Sequence, residues 1–359
     1  ATDIEARTIT QQEEDELIST FELDDTEEHP QYLTEVFLQF NELLHECMND
    51  PSDPQQVITY LSKLAANDRS FTYKVARSEN GSITGFVWQT GTMRKDFELF
   101  GDILFVDCLG RHLNTKGWPI NTVAMLDSER KVCIPCEAIT IGESVDAYAW
   151  IIRSAVEMTP KRKLVDIKVI FGDGILAGDS LLAKLGITSS CKLLLDHHHL
   201  ISDEIGAWPK EFGPNLWSQL KKDLTVMVKD YSEEEYNLAL STVQENVKDK
   251  PQLLKYVKEN IHSKRHLFAN HIIKTYPCTM NFQGNAPAEA NHASIVARLG
   301  NIVQSPVELI RSMIMRQKDI NAERNHFLID YHMNMTGKQL QMTDPSDRLA
   351  ARSLSSWGY

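Results

Sequence analysis

The central part of the chain consists of short apolar segments separated by polar turns. Short apolar runs between turn residues are typical of buried strands. The predicted strands cover 102–108, 120–127, 131–140, 165–174 and 191–200. Apolar residues recur at helical spacing within 144–158 and 179–186, which predicts two helices. This order predicts a meander of three strands, to which helical crossovers add two parallel strands in the same sheet.

The region before these strands is patterned as helices and one hairpin. Residues 1–30 are polar and acidic and are not expected to fold by themselves. Apolar residues have helical spacing in 30–45 and again in 54–68. Two strand-like runs then meet at Asn80-Gly81, a dipeptide that is typical of tight hairpins. We therefore expect a hairpin to lead into the central strands.

The region after the central strands is patterned as helix throughout. Between 208 and 275, Ser232 and Glu235 form the capping-box pattern of a helix start. After a break, helical spacing resumes over 288–300. A last helix is predicted to begin at Pro306, because proline favours the first turn.

Together these elements predict an α/β protein whose mixed five-stranded sheet is interrupted in sequence by an all-α insertion. An N-terminal extension of helix and hairpin precedes the sheet. The predicted segments are 1–58 (acidic N-terminal segment and helix), 59–98 (hairpin leading into the core), 99–200 (first part of the core), 201–284 (all-α insertion), 285–335 (completion of the core by two helices) and 336–359 (polar tail).

Composition and charge narrow the class of protein. No apolar run approaches the roughly 20 residues that span a bilayer, and the first residues do not resemble a signal peptide. The net charge of −13 argues against a surface that is basic all over, although a local basic face can still bind nucleic acid. The start at Ala instead of Met indicates a piece of a longer protein.

The six cysteines are too scattered for a disulfide scaffold, which favours a reducing compartment. Cys133 and Cys136 form a lone C-x-x-C within a predicted strand. An offset of three in a regular strand directs two side chains to opposite faces. We therefore expect a structural role for this pair instead of a zinc or redox site.

Two acidic residues end predicted strands, where the sites of α/β sheets form. Asp107 and Asp173 hold these positions, and Glu289 begins a helix after the apparent insertion. Three such carboxylates can hold two divalent cations that act on a phosphodiester, and Mg²⁺ favours oxygen ligands. Spacing alone does not establish this trio, because strand-end acids are common among 50 acidic residues. Three other acids near the same elements are predicted to be solvated turn or strand-start residues: Asp102, Asp127 and Asp166.

Another polar cluster follows the last predicted strand. Asp196, His197, His198 and His199 could bind a metal ion through their imidazoles. The alternative is a solvated loop start with one or two of the histidines in the core. From the residues alone we favour this alternative.

Several short motifs occur in a fixed order along the chain. Asp68–Val75 reads D-x-S-F-x-Y-x-V, Val87–Arg94 is close to F-W-x-x-G-x-x-R, and Phe100–Asp107 reads F-G-D-x-x-x-x-D. The run IFGDG follows with Asp173, and Asp196–His199 before a leucine reads D-x-x-H. Finally, NAPAEANHASI contains Glu289 and Asn291 in an E-x-N pattern. In this order the motifs resemble the Mutator-like element (MULE) transposase domain over residues 59–300.

The resemblance implies an RNase H-like core of the DDE transposase type. It implies that Asp107, Asp173 and Glu289 are the catalytic residues and hold two Mg²⁺ or Mn²⁺ ions. It further implies that Asp196, His199 and Asn291 shape the site or contact DNA. Three departures suggest a divergent branch: Cys108-Leu109 after the first acid, His198 in place of an aromatic residue, and Ala290 in place of serine.

The function that the resemblance implies is that of a DNA transposase catalytic domain in the nucleus. Such a domain cleaves and joins DNA strands by in-line phosphoryl transfer, acts on transposon ends and target DNA as a homo-oligomer, and has no membrane partner. The all-α insertion would hold flanking DNA or a partner subunit. Five basic residues could contact phosphates or belong to an ordinary solvated face: Lys161, Arg162, Lys163, Lys264 and Arg265.

Two other functions fit the same fold, since fold does not fix function. One is a domesticated, transposase-derived DNA-binding or transcriptional regulator without cleavage activity. The other is an RNase H-like nuclease acting on RNA–DNA hybrids or branched DNA. The family's zinc-binding or WRKY-like DNA-binding modules are missing from these 359 residues, which again indicates a piece of a longer protein.

Overall fold

The structure is a computed structural model that describes residues 53–110, 113–173, 180–197, 200, 214–229, 232–276, 285–300 and 302–341. The described residues all belong to one compact unit. The predicted acidic segment 1–30, the helix 30–45 and residues 342–359 of the predicted tail 336–359 lie outside the described residues, whereas residues 336–341 of that tail are helical.

The described residues contain seven strands in one sheet and ten α-helices around it. The strands are β1 (Thr72–Arg77), β2 (Ile83–Gln89), β3 (Ile103–Leu109), β4 (Ile120–Leu126), β5 (Val132–Thr140), β6 (Val169–Gly172) and β7 (Lys192–Leu195). The helices are α1 (Pro54–Asn67), α2 (Gly91–Phe100), α3 (Val145–Glu157), α4 (Ser180–Leu185), α5 (Pro214–Lys229), α6 (Glu233–Asn246), α7 (Pro251–Tyr256), α8 (Asn270–Ile273), α9 (Ala286–Leu299) and α10 (Pro306–Gln341).

The sheet is mixed, with the strand order β1-β2-β5-β4-β3-β6-β7. Strands β3, β4 and β5 form an antiparallel meander, and β6 and β7 are added parallel to β3. The predicted α/β class, the meander and the two parallel additions are confirmed. The connections through α3 and α4 supply the crossovers that parallel strands require.

The sheet has seven strands instead of the five predicted, because the hairpin is part of it. β2 pairs antiparallel with β5, and Phe86, Val87 and Trp88 of β2 are fully buried. Helix α2 is a second difference, since the sequence indicated only a turn there. Thr90 caps its N-terminus, and Met93 is buried on its inner face. Burial in the folded protein, and not local spacing in the sequence, decides both the pairing of the hairpin with the sheet and the formation of α2.

Each face of the sheet is covered by its own set of helices. On one face, Leu104 and Val106 of β3 pack in a cluster with Ile152 of α3 and Leu181 of α4. The opposite face contains a second cluster, which includes Phe105 of β3 and residues of β4, β6, β7, α2, α8 and α9. Successive residues of β3 therefore belong to two different cores, as the alternation of side chains along a strand requires.

Cys133 and Cys136 of β5 lie on the same face of the sheet, so the prediction that they lie on opposite faces is wrong. Cys133 pairs with Met125 and Cys136 with Val123, and the register shifts between these pairs. Two residues of β5, Ile134 and Pro135, therefore lie opposite the single residue Ala124 of β4, which is the definition of a β-bulge. The shift includes Pro135, which has no N–H to donate to the ladder. Both cysteines are buried free thiols, and burial raises the pKa of Cys133 to about 12.

Helix α10 is attached to the sheet by two arginines. Arg316 donates to Glu137 at 2.8 Å, and both side chains are almost completely buried. About two helical turns further along α10, Arg324 contacts Asp96 of α2 at 2.5 Å and Asp127 at 2.9 Å. Asp127 was predicted to be solvated, but it is only 7% exposed. Its carboxylate also accepts turn N–H groups, so it stabilises the β4–β5 turn instead of facing water.

The described part of the predicted all-α segment is helical, from α5 to α8. Ser232 accepts a hydrogen bond from the backbone N–H of Glu235 at 3.1 Å, which confirms the predicted start of α6. Leu224, Tyr236 and Val243 belong to a buried cluster of this segment. No helix of the described residues is long and apolar enough to cross a membrane.

Candidate active site

Asp107 and Asp173 lie at the carboxyl ends of two adjacent parallel strands. β3 pairs with β6 through Ile103–Val169, Leu104–Ile170 and Phe105–Phe171. Continuing this register by two residues brings Asp107 level with Asp173, at the spacing of about 4.8 Å between neighbouring strands. The rings of Phe105 and Phe171 stack with their centroids 5.2 Å apart. Since every second residue of a strand shares a face, β3 directs Asp107 to the face of these rings.

The carboxylate of Asp107 is held by its own strand. Asp107 is 8% exposed, and its Oδ1 accepts the backbone N–H of Cys108 at 2.7 Å. Its Oδ2 lies 3.5 Å from Nδ1 of His292 in α9. Asp173 is half-buried. The pair therefore combines one buried, oriented carboxylate with one that is half-buried.

Electrostatic effects on neighbouring groups place a third acid near this pair. The pKa of the Cys108 thiol is raised by burial, then by Glu143, and then by Asp107 and Asp173. The pKa of the buried Tyr148 hydroxyl is raised by burial and by the same three acids. Tyr148 donates to Oε1 of Glu143 at 3.2 Å. This end of the sheet is therefore strongly negative.

Helix α9 begins at the same end of the sheet because Asn285 anchors it there. The side-chain amide of Asn285 donates to the carbonyl of Val106 at 2.6 Å, one residue before Asp107. Glu289 lies in the first turn of α9 and is exposed. Residues four and three apart share one face of a helix, so Glu289 lies on the stripe between Asn285 and His292. That stripe contacts β3 at both of its ends.

The predicted site-shaping residues lie in the interior where the structure describes them. Asp196 is 2% exposed, and its Oδ1 accepts the backbone N–H of Asn285 at 3.2 Å. Asn291 is 4% exposed and donates to Oγ1 of Thr122 at 3.2 Å. Both side chains are buried and support α9 against the sheet. His199 lies outside the described residues.

The first histidine of the predicted cluster is a core residue. His197 is 5% exposed, and its Nε2 lies 2.7 Å from the carbonyl of Phe268. Burial lowers its pKa to about 4. His197 therefore agrees with the alternative of a histidine in the core, while His198 and His199 lie outside the described residues.

The donor set at this end of the sheet suits a hard cation. Two carboxylates on adjacent strand ends repel each other unless a positive charge balances them. Carboxylate oxygens are also the ligands that Mg²⁺ takes in proteins. Within the described stretches, no three His, Cys, Asp or Glu side chains are already arranged around a metal-sized gap. Asp107 and Asp173 lie on adjacent strand ends, and Glu289 lies in the first turn of the helix that contacts β3.

Arg162, one of the five basic residues considered for phosphate contact, has its partners within the protein. Arg162 donates to Asp102 at 2.6 Å with its side chain 6% exposed, and its guanidinium lies over the ring of Phe97. It therefore stabilises the core and cannot reach a phosphate. Lys161 is 78% exposed, so its ammonium group remains accessible.

Basic charge is concentrated in a different part of the chain. Residues 248–276 contain seven lysines and arginines and two acidic residues, within a chain of net charge −13. A cavity of about 320 Å³ lies between this segment and β7, and Lys192, Lys264 and Tyr276 are among its lining residues. The ammonium group of Lys192 lies 5.7 Å from the centre of the Tyr276 ring. This basic segment, residues 248–276, offers a local surface for an anionic partner.

Sequence reasoning missed three residues of this region. His292 is three residues after Glu289, so helical periodicity could have placed it on the same stripe. Glu143 follows β5, which runs in the same direction as β3 and ends at the same edge of the sheet. Asn285 had no sequence signal, because its partners lie 89 and 179 residues away.

No protein-family model matches this chain, and no curated protein is similar to it in sequence.

Proposed function

We propose that this chain has an RNase H-like core and is the catalytic domain of a DDE-type DNA transposase. The observation on which this rests is the pairing of β3 with β6, which brings Asp107 level with Asp173. The β-β-β-α-β order of the core supports it, as does the start of α9, with Glu289, at the same end of the sheet. The motif order that resembles the MULE transposase domain is the second, independent support.

The residues that would hold two Mg²⁺ or Mn²⁺ ions are Asp107, Asp173 and Glu289. When bound, such ions activate an attacking oxygen and stabilise the leaving oxygen of a phosphodiester. The chain itself supplies orientation. The N–H of Cys108 fixes one oxygen of Asp107, and Asn285 holds the start of α9 beside Val106. Burial, and then the nearby acids, raise the pKa of the Cys108 thiol, so it stays protonated at neutral pH and does not compete as a nucleophile.

DNA is the partner that we propose for the basic segment. Phosphate contacts by lysine and arginine dominate affinity for nucleic acid, and a protein of negative net charge needs such a local surface. Lys264 and Arg265, for which the sequence left phosphate contact and an ordinary solvated face open, both lie in this segment. The homo-oligomeric state and the nuclear location remain predictions from the resemblance.

The experiment is a strand-cleavage assay on supercoiled plasmid DNA with the purified chain, in Mg²⁺, in Mn²⁺ and in EDTA. We expect metal-dependent nicking that falls at least about a hundredfold in Asp107→Asn, Asp173→Asn and Glu289→Gln, a loss of about 2.7 kcal/mol or more of transition-state stabilisation. Glu79→Gln is the matched control, since that side chain is exposed in the turn between β1 and β2. It should cleave like the wild type.

The assay also separates the alternative functions. If the intact chain binds DNA but cleaves none in either metal ion, the domesticated DNA-binding or regulatory protein becomes the better proposal. If it cleaves RNA–DNA hybrids and leaves duplex DNA intact, the RNase H-like nuclease replaces the transposase. If the three acidic variants cleave like the wild type, the assignment of the site is wrong.

A further inference from the structure

His292 lies between two buried polar groups of the sheet. Its Nε2 is 3.0 Å from Oγ1 of Thr122, and its Nδ1 is 3.5 Å from Oδ2 of Asp107. Thr122 of β4 is the direct cross-strand partner of Asp107 in β3. The imidazole therefore spans from one strand to the next, with its side chain only 12% exposed.

The hydroxyl of Thr122 holds the end of the imidazole that faces away from Asp107. Asn291 also donates its side-chain amide to Oγ1 of Thr122 at 3.2 Å, so helix α9 is attached to this hydroxyl by two neighbouring residues. The ring of His292 therefore presents Nδ1 to Oδ2 of Asp107. A carboxylate only accepts, so Nδ1 can hold Asp107 only when it carries hydrogen.

We propose that His292 is a positioning residue for Asp107, held in place by Thr122 and donating from Nδ1. It constrains Oδ2 of Asp107, while the N–H of Cys108 constrains Oδ1. This inference rests on the proposed function, in which Asp107 holds a divalent cation. Outer partners that orient a metal ligand typically contribute 10- to 100-fold to metal affinity or activity. Losing His292 should therefore weaken metal binding before it affects the fold.

The first test reads the tautomer without any metal ion. The full chain is labelled with ¹⁵N-histidine, and the signals of His292 are identified at pH 8 by their loss in His292→Gln. We expect hydrogen on Nδ1 in the wild type, because Nδ1 must donate to hold Asp107. A wild-type imidazole with hydrogen on Nε2 alone would overturn the proposal.

The second test measures Mn²⁺ binding by electron paramagnetic resonance, with two variants that keep opposite ends of the imidazole. His292→Asn retains a donor near the position of Nδ1, and His292→Gln retains one near Nε2. We expect His292→Asn to bind Mn²⁺ within about threefold of the wild type and His292→Gln to bind it 10- to 100-fold more weakly. A role in packing alone would weaken the two variants alike, which would overturn the proposal.

Asp107→Asn separates the metal site at Asp107 from the positioning role of His292. If it abolishes a Mn²⁺ site that His292→Gln leaves at wild-type affinity, the positioning role is overturned and the metal site stands. If Asp107→Asn binds Mn²⁺ as the wild type does, the metal site at Asp107 is overturned, and the positioning role is overturned with it.

Discussion

Asn285 donates its backbone N–H to Asp196 at 3.2 Å, although 89 residues separate them in the chain. Asp196 directly follows β7 and Asn285 directly precedes α9, so this contact closes the chain segment that contains α5 to α8. The side chain of Asn285 then reaches Val106 in β3. The start of the helix that bears Glu289 is thereby placed at the carboxyl ends of the central strands, whatever the helical segment contacts elsewhere.

Replacing Asn285 by alanine should loosen this anchor. The carbonyl of Val106 would lose a buried donor, which costs about 1–3 kcal/mol. Urea denaturation should show a loss of that size, and DNA nicking should fall further than the loss of stability explains. A variant with the expected loss of stability and wild-type nicking would show that the anchor does not serve the site.

The buried pair of Arg316 and Glu137 should dominate the attachment of α10. Arg316→Met would leave an unpaired buried carboxylate, at a cost of about 3–5 kcal/mol. Arg298→Met, which breaks the half-exposed pair with Asp319, should cost less than about 1 kcal/mol. Urea denaturation at pH 7 measures both. Equal losses in the two variants would contradict the account.

Arg316→Met should also change how the stability of the protein depends on pH. Burial raises the pKa of Glu137, and Arg316 opposes that rise. Without Arg316 the pKa in the folded state rises further above that of the unfolded chain. Stability is then lost as the pH rises above the ordinary glutamate range, because the unfolded chain releases the proton more readily. Arg316→Met should therefore lose more stability, relative to the wild type, at pH 8 than at pH 5.

His197 should make the wild-type protein sensitive to mild acid. Its pKa is lowered by burial to about 4 from 6.5, so between these values the unfolded chain binds the proton and the folded chain does not. Buried, neutral His197 makes its full contribution to stability above pH 6.5, and this contribution is lost as the pH falls toward 4. At about 1.4 kcal/mol per pKa unit, the loss is on the order of 3 kcal/mol.

The matched variants for this prediction are His197→Gln and His266→Gln. Glutamine can still donate to the carbonyl of Phe268 but does not titrate, so His197→Gln should remove most of the loss of stability between pH 6.5 and 4. His266 is exposed, and its replacement should leave the loss unchanged. Denaturation curves at pH 7, 5.5 and 4.5 measure this. An unchanged pH dependence in His197→Gln would contradict the assignment.

The basic segment should determine the salt dependence of DNA binding. Each phosphate contact adds about 0.9 to the slope of log affinity against log salt concentration. The double variant Lys264→Ala/Arg265→Ala should therefore lower the slope by about 2. Lys95→Ala/Lys168→Ala removes the same charge from exposed positions outside the segment. Equal effects of the two double variants would show that the binding responds to net charge alone.

The sequence predicted the central strands well because each is a short apolar run with clear turns at its ends. It placed Asp107 and Asp173 at strand ends, whereas their adjacency depended on which strands pair and is supplied by the pairing of β3 with β6. The sequence-based prediction failed where pairing between residues that are distant in the chain decides the structure. The burial of Trp88 joins the hairpin to the sheet, and the bulge near Pro135 reverses the side of Cys133 relative to a regular strand. The contact of His292 with Asp107 required the folded register of two elements.

The most direct measurement is the position of Mn²⁺ in crystals of this chain, located by its anomalous scattering. The account predicts a peak bound by oxygens of both Asp107 and Asp173, at the distance of about 2.1 Å that is typical of Mg²⁺-type coordination, and no such peak in Asp107→Asn. A peak elsewhere, or none between these two carboxylates at a concentration of Mn²⁺ that supports cleavage in solution, would contradict it.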